Sequence, residues 1–276
     1  MDRTLSRACP IADAQHIIKV VVVLLMTERN RIKVLSYNIH KGFGIGNLSF
    51  TLPEIKNAIA SVSPDIIFLQ EVIGQHDKHA KKVELWPDLP QSHYIASNLW
   101  PYVAYGQTSV FEHGHQGNAI LSKYPIKRHE NIDISTNPIE CRALLHAEIE
   151  IPGLVLPVHC ICAHLSLFRK CRDEQLRRIC SRVSDRVAEN EPLILAGDFN
   201  DWQQRASGVL VRELGIKEVF ADHHGAYQAT FPTNYPLFKL DRVYARGLSM
   251  LRGRALTGEP WGKLSDHAPL YAELEC

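Results

Sequence analysis

A chain of 276 residues with 45% hydrophobic and 22% charged residues can build one large domain or two modest ones, and its composition excludes a disordered or low-complexity protein. A formal net charge of +1 excludes global attraction to polyanions, so affinity for nucleic acid or membrane has to come from local patches. Seven cysteines, an odd set without a C-x-x-C pair, suit core hydrophobes in a reducing compartment better than a disulfide framework.

The first apolar run, "IIKVVVVLLM" (Ile17 to Met26), is interrupted by Lys19 and too short to span a bilayer. Asp2 and Asp13 precede it and no small-residue cleavage site follows, which disfavours a signal peptide; a start of synthesis at Met26 is favoured instead. Residues 1–31 are therefore expected to lie outside the fold, and residues 32–276 to form one domain. A cytoplasmic location is expected, with peripheral membrane association left open.

From Ile32 onward strand-like and helix-like segments alternate, the pattern of an α/β sandwich. "IKVLSYN" and "PDIIFLQE" read as strands, with a helix over Pro53 to Val62 between them. "YVAYGQ", "NAILSKYPI", "RALLHAEIEI" and "LVLPVHCICAHLSL" follow as a strand series punctuated by Pro, Gly and Asn. Asp173 to Glu189 reads as an amphipathic helix with Arg178, Arg182 and Arg186 on its polar face. "LILAG", "KLDRVYA" and "APLYAEL" complete the strands.

These strands repeatedly deliver polar groups at or near their ends: Asn38, Glu71, His164, Asp198 with Asn200, Asp241, and Asp266 with His267 before the last strand. Carboxylates gathered in this way repel one another at a cost of several kcal/mol unless a cation or protons intervene, so the set implies a metal. Carboxylate and amide oxygens are hard donors suited to Mg²⁺, with Mn²⁺ as a substitute. Asp198 suits the orientation or deprotonation of a water, and His267, with Asp241 fixing its tautomer, suits stabilisation of developing charge. Cys160, Cys162 and His164 share one strand face and raise the possibility of zinc, although a buried strand accounts for the cysteines better. "HKGFGIGN" lacks the GK[ST] ending of a phosphate loop and reads as a flexible loop whose His40 and Lys41 can still reach substrate.

The ordered set "YNIH", "PDIIFLQE", "GNAILSKYPI", "AHLSL", "AGDFN", "KLDRVYA" and "LSDHAPL" resembles the endonuclease/exonuclease/phosphatase superfamily, and within it a bacterial YbhP-type group. The resemblance implies a four-layer α/β sandwich of the DNase I-like type, two packed mixed β-sheets flanked by helices. It implies a Mg²⁺-dependent phosphodiesterase in which Glu71 is the principal metal ligand, with Asn38 and Asp266 supporting it. Asp198 would activate water, Asn200 would hold that water or the scissile phosphate, and His164 would contact phosphate. His267, paired with Asp241, would stabilise the transition state. Asn118, Arg142 and His40 are expected to touch substrate.

Superfamily members cleave nucleic acids and lipid head groups with nearly the same site, so the substrate stays open. DNA or RNA is favoured, because Arg169 to Arg186 carries seven basic residues against three acidic ones. A phospholipid head group would need an exposed apolar loop, which "YPLFKL" with Trp202 and Trp261 offers. A noncatalytic phosphate-binding module is the reading from another class. No obligate protein partner is inferred, and a monomer is expected.

Overall fold

Strand β1, Arg31–Asn38, is apolar on both faces, and the computed structural model, which describes residues 31–276, shows why. Ile32 and Val34 point into one core while Leu35 and Tyr37 point into another. A strand buried on both sides has to lie inside a sheet that is itself covered on both sides. The run Ile17 to Met26 and the alternative start at Met26 lie outside the described residues.

β1 pairs in parallel with β2, Ile66–His76, and antiparallel with β12, Leu270–Glu275. Adding β3 (Tyr102–Phe111), β4 (Gly114–Ser122) and β11 (Ser249–Ala255) gives a six-stranded sheet of order β11-β12-β1-β2-β4-β3. The second sheet has the order β5-β6-β7-β8-β10-β9. Its strands are β5 (Ile126–Asp133), β6 (Ala143–Ile149), β7 (Val158–His164), β8 (Leu193–Asp198), β9 (Lys217–Glu218) and β10 (Asp241–Arg246).

Phe68, Ile120, Leu145, Cys160, Ile194 and Val243 interdigitate between the sheets. Outside the first sheet, helices α1 (Leu52–Val62) and α3 (Gln91–Ala96) cover Leu35, Ile67 and Leu69; α2 (Asp77–Lys82) follows β2 directly. Outside the second, α4 (Arg169–Arg186) and α5 (Ala206–Leu214) cover Ile161, Leu193 and Leu195, while α6 (Val219–His224) adds Phe220 to the central core. The expected four-layer sandwich is therefore present.

Several boundaries differ from the sequence reading. β2 does not stop at Glu71 but continues to His76. "NAILSKYPI" divides at residues 123–125 into the end of β4 and the start of β5, as Pro cannot continue a ladder. α4 begins at Arg169 rather than Asp173, because Phe168 caps it without a side-chain hydrogen bond and so leaves no sequence signal. Trp261, expected to help form an exposed apolar loop, is buried edge-on against Tyr37 with ring centroids 5.8 Å apart. Cys160 and Cys162 are fully buried, and the Cys162 thiol lies between Gln70 and the Leu69 carbonyl, so they are core residues. Among the described residues no helix is long and apolar enough to cross a membrane.

Candidate active site

Each sheet contains one parallel pair, β1 with β2 and β7 with β8, and the polar residues gather at the carboxyl ends of these pairs. His164 is level with Asp198, and Asp241 at the start of antiparallel β10 is level with it from the other side. Register alone thus brings three of the expected residues together on the second sheet.

On the first sheet the key device is a bulge. Leu69 pairs with Ala119 and Val72 with Gly117, so Gln70 and Glu71 together oppose the single residue Asn118. Glu71 takes a left-handed backbone, φ 55°, which re-aims its side chain. His40 and Lys41 are also left-handed, φ 46° and 60°. Such residues cost roughly 1 to 3 kcal/mol each and persist where the surroundings enforce them. Here Gln91 Nε2 holds the Lys41 carbonyl at 2.8 Å, and Thr51 N and Oγ1 hold the Gly42 carbonyl at 2.8 and 3.3 Å. Lys41 Nζ consequently stands 3.3 Å from Glu71 Oε2.

Asn38 joins the two sheets. Its amide nitrogen donates to Glu71 Oε1 at 3.4 Å and to Asp198 Oδ2 at 3.2 Å, while its oxygen accepts from the His40 backbone at 3.1 Å. Asp198 Oδ2 also lies 3.5 Å from His164 Nε2 and 3.8 Å from His267 Nε2. Asp198 Oδ1 accepts from the Asn200 backbone at 2.9 Å, and Asn200 Nδ2 donates to the Leu165 carbonyl at 3.0 Å. His267 Nδ1 is 2.8 Å from Asp241 Oδ2.

These contacts set the charge states. Burial raises the Asp198 carboxyl to about 6, with His267 pulling it down and Asp241 pushing it up. Burial alone would lower His267, but facing Asp241 and Asp198 outweighs it and lifts the imidazole to about 10, so it is a cation at neutral pH. His164 goes the other way: burial, reinforced by Arg142, drives it down to about 3, and it is neutral. Burial opposes ionisation of Glu71, yet the basic groups around it, His164, Lys41 and His40, hold the carboxyl down at about 2, and with His164 neutral the Lys41 ammonium is the standing charge beside it.

The remaining expected residues fall in distinct places. Asp266 is half-buried, accepts weakly from Ser265 Oγ at 3.4 Å, and faces His40 Nδ1 at 3.8 Å. Arg142 is close enough to act on His164 and pairs with Glu140 at 3.6 Å. Asn118 is buried and donates to the Ala143 carbonyl at 3.0 Å, which makes its amide a brace between the sheets. Ser265 was not singled out in the sequence, yet its hydroxyl donates to the Asn38 carbonyl at 2.7 Å and accepts from the His267 backbone at 3.2 Å. Its place inside "LSDH", beside two expected site residues, was the available signal.

The donor set fits a hard divalent cation. Glu71 Oε2 is buried and its partner is the half-exposed Lys41 ammonium at 3.3 Å, so an ionised oxygen beside the Asn38 amide is available to a cation that displaces Lys41. Asp198, Asp241 and His267 also bring ligand atoms within 4.8 Å of one another. However, Asp241 is engaged by His267, and a protonated imidazole has no lone pair for a metal. Glu71 is the better anchor.

Two stacked mixed sheets with one acid-histidine site across their edges define the class: a DNase I-like four-layer sandwich. Residues 35–267 match the model of the Endonuclease/Exonuclease/phosphatase family, and the chain belongs to that family. It is 42% identical over 248 residues to the uncharacterized protein YbhP of Escherichia coli strain K12, covering 90% of this chain and 98% of that protein. An endonuclease/exonuclease/phosphatase from Beutenbergia cavernae has a similar fold, with a TM-score of 0.71 and 21% identity over 90% of this chain and 72% of its own. D. rerio TDP2, solved in complex with a single-strand DNA product, superposes with a TM-score of 0.65 and 18% identity over 90% of this chain and all of its own, 100%.

Proposed function

We propose that the protein is a divalent-cation-dependent phosphodiesterase that attacks its substrate with an activated water. The observation that carries this reading is the position of Asp198, a carboxylate near pKa 6 set between neutral His164 and cationic His267. A base whose pKa lies near the working pH is ionised and still accepts a proton readily. Asn200 fixes the Asp198 rotamer through its backbone, and Asp241 holds His267 charged and oriented. His267 then faces the negative charge that develops on the phosphoryl oxygens, and Arg142 adds a second positive group beside His164. Glu71, with Asn38 and Asp266 supporting, would hold Mg²⁺ or Mn²⁺, which when bound neutralises phosphoryl charge.

Support for the substrate class shifts once the structure is in view. The basic helix α4, which favoured DNA or RNA, engages many of its own cations: Arg169 with Asp173, Arg177 and Arg178 with Glu174, and Arg182 with Glu130. Arg172 is buried against the Ser166 and Leu167 carbonyls. A phospholipid head group is the second reading, favoured by half-buried Phe231 beside His267, which leads outward to exposed Trp202 and Phe238.

Hydrolysis of bis-p-nitrophenyl phosphate tests the chemistry for either class. Turnover is expected with Mg²⁺ or Mn²⁺ and not in EDTA, and Asp198→Asn should lower kcat by on the order of 10² or more. Full activity in chelator, or no turnover of any phosphodiester, would leave a noncatalytic phosphate-binding module as the better account.

A further inference from the structure

Three loops leave the second sheet at the same edge, one after β7, one after β8 and one before β10, because His164, Asp198 and Asp241 are level across those strands. The first loop carries Leu167 and Phe168, 56% and 55% exposed. The third carries Leu237 and Phe238, also exposed, and the middle loop carries exposed Trp202. In both flanking loops the Leu-Phe pair runs directly into basic residues, as Leu167-Phe168-Arg169-Lys170 and Leu237-Phe238-Lys239.

The aromatic side chains of the second and third loops form a ridge that continues into the site. Trp202 meets Phe238 at 4.7 Å and Phe231 at 6.3 Å between ring centroids, and Phe231 lies 5.0 Å from the His267 ring. Leu165, Arg169, Asp201 and Arg205 line one small recess, which ties the first loop to the second. Exposed large hydrophobics gathered at one place mark an interaction surface, whereas single ones scattered over a protein do not.

The chemistry of the ridge selects its partner. Lys170 and Arg205 are exposed and Lys239 is half-buried, and among the described residues none of the three enters an ion pair. The surface therefore offers apolar tips with free cations directly behind them. Bases would stack on the aromatic rings, but leucine has no ring face to offer them. A bilayer uses both kinds of side chain, taking Leu, Phe and Trp at the acyl boundary while Lys and Arg reach the anionic phosphates above it.

We propose that this end of the protein docks on an anionic phospholipid surface, with the two Leu-Phe loops and Trp202 entering the interface and Lys170, Arg205 and Lys239 at head-group level. The docking stands on the loops alone. The corollary that the hydrolysed phosphodiester belongs to a lipid head group rests on the phosphodiesterase reading above.

The test is co-sedimentation of the full chain with vesicles in EDTA, so that binding is read without turnover. Binding is expected to vesicles of phosphatidylcholine mixed with phosphatidylglycerol, to be much weaker to phosphatidylcholine alone, and to fall with added salt. Leu237→Ser combined with Phe238→Ser should weaken it about tenfold or more, and Phe168→Ser on the other loop should weaken it independently. Lys170→Ala with Lys239→Ala should remove most of the preference for anionic vesicles. All these variants should retain wild-type melting temperature and wild-type hydrolysis of soluble bis-p-nitrophenyl phosphate. Vesicle binding that is absent, or unchanged in the loop variants, overturns the proposal. So does tighter binding of a single-stranded oligonucleotide that depends on the same residues. Wild-type protein that binds vesicles but hydrolyses no soluble ester would sink the catalytic reading and leave the docking intact.

Discussion

His267 Nδ1 lies 2.8 Å from Asp241 Oδ2, and both groups are buried. The contact fixes which imidazole nitrogen faces Asp198 and keeps the ring charged. Asp241→Asn keeps the shape but removes the charge, so kcat should fall by on the order of 10² or more, with a smaller change in KM. Measured kcat within a few-fold of wild type would show that the pair is only structural.

The same contacts predict the pH profile. Asp198 must be ionised to accept a proton, so the rate should rise as pH passes through about 6. His267 must be protonated to meet developing charge, so the rate should fall as pH passes through about 10. In Asp241→Asn the strongest force lifting His267 is gone, and the alkaline limb should move to lower pH while the acid limb moves little or downward. An alkaline limb that stays in place would assign it to another group.

Strand ends were legible because apolar runs that close on, or open from, Asp, Asn or His are short-range patterns. That is why Asn38, His164, Asp198 and Asp241 fall together as expected. Glu71 was legible as a site residue but not as a bulge, since the bulge depends on Asn118 lying opposite both Gln70 and Glu71, a pairing no local stretch of sequence contains. For the same reason the sequence did not show that the Asn118 amide, expected to touch substrate, donates to the Ala143 carbonyl of the other sheet. The basic face of α4 was visible, but Glu130, the partner of Arg182, sits 52 residues away on β5. Trp261 looked available because its neighbours are polar and small, and only the fold places it against Tyr37.

Lys41 occupies the position from which it competes with a divalent cation for Glu71. Its side chain is 41% exposed, so after solvent screening the pair contributes no more than about 1 kcal/mol. Lys41→Met should therefore tighten Mn²⁺ binding by up to about fivefold. Glu71→Gln, which removes the ionised oxygen, should weaken it by tenfold or more, on the order of lost metal ligands and their supports. Both are read by titration calorimetry without substrate. Unchanged Mn²⁺ affinity in Glu71→Gln would move the metal to Asp198 and its neighbours.

Gly197 links stability to the site. It lies on β8 beside Ala163, one residue before Asp198, with φ +146°. A Cβ there would stand 1.9 Å from the Ala163 carbonyl oxygen, a contact with backbone that no rotamer can relieve. Gly197→Ala has to push β7 and β8 apart, and their ends carry His164 and Asp198. The loss should be about 3 kcal/mol or more, which for a domain of this size lowers the melting temperature by roughly 6 to 12 °C. Any folded protein recovered should also lose activity on the soluble ester, because the spacing of the two residues changes. Gly208 is the internal comparison. It sits exposed within α5, and nothing lies within 4 Å of a Cβ added there. Gly208→Ala should stabilise the helix by about 0.5 to 1 kcal/mol and leave kcat unchanged. Calorimetry that found equal effects at the two positions would mean that the close approach of β7 to β8 is not what Gly197 protects.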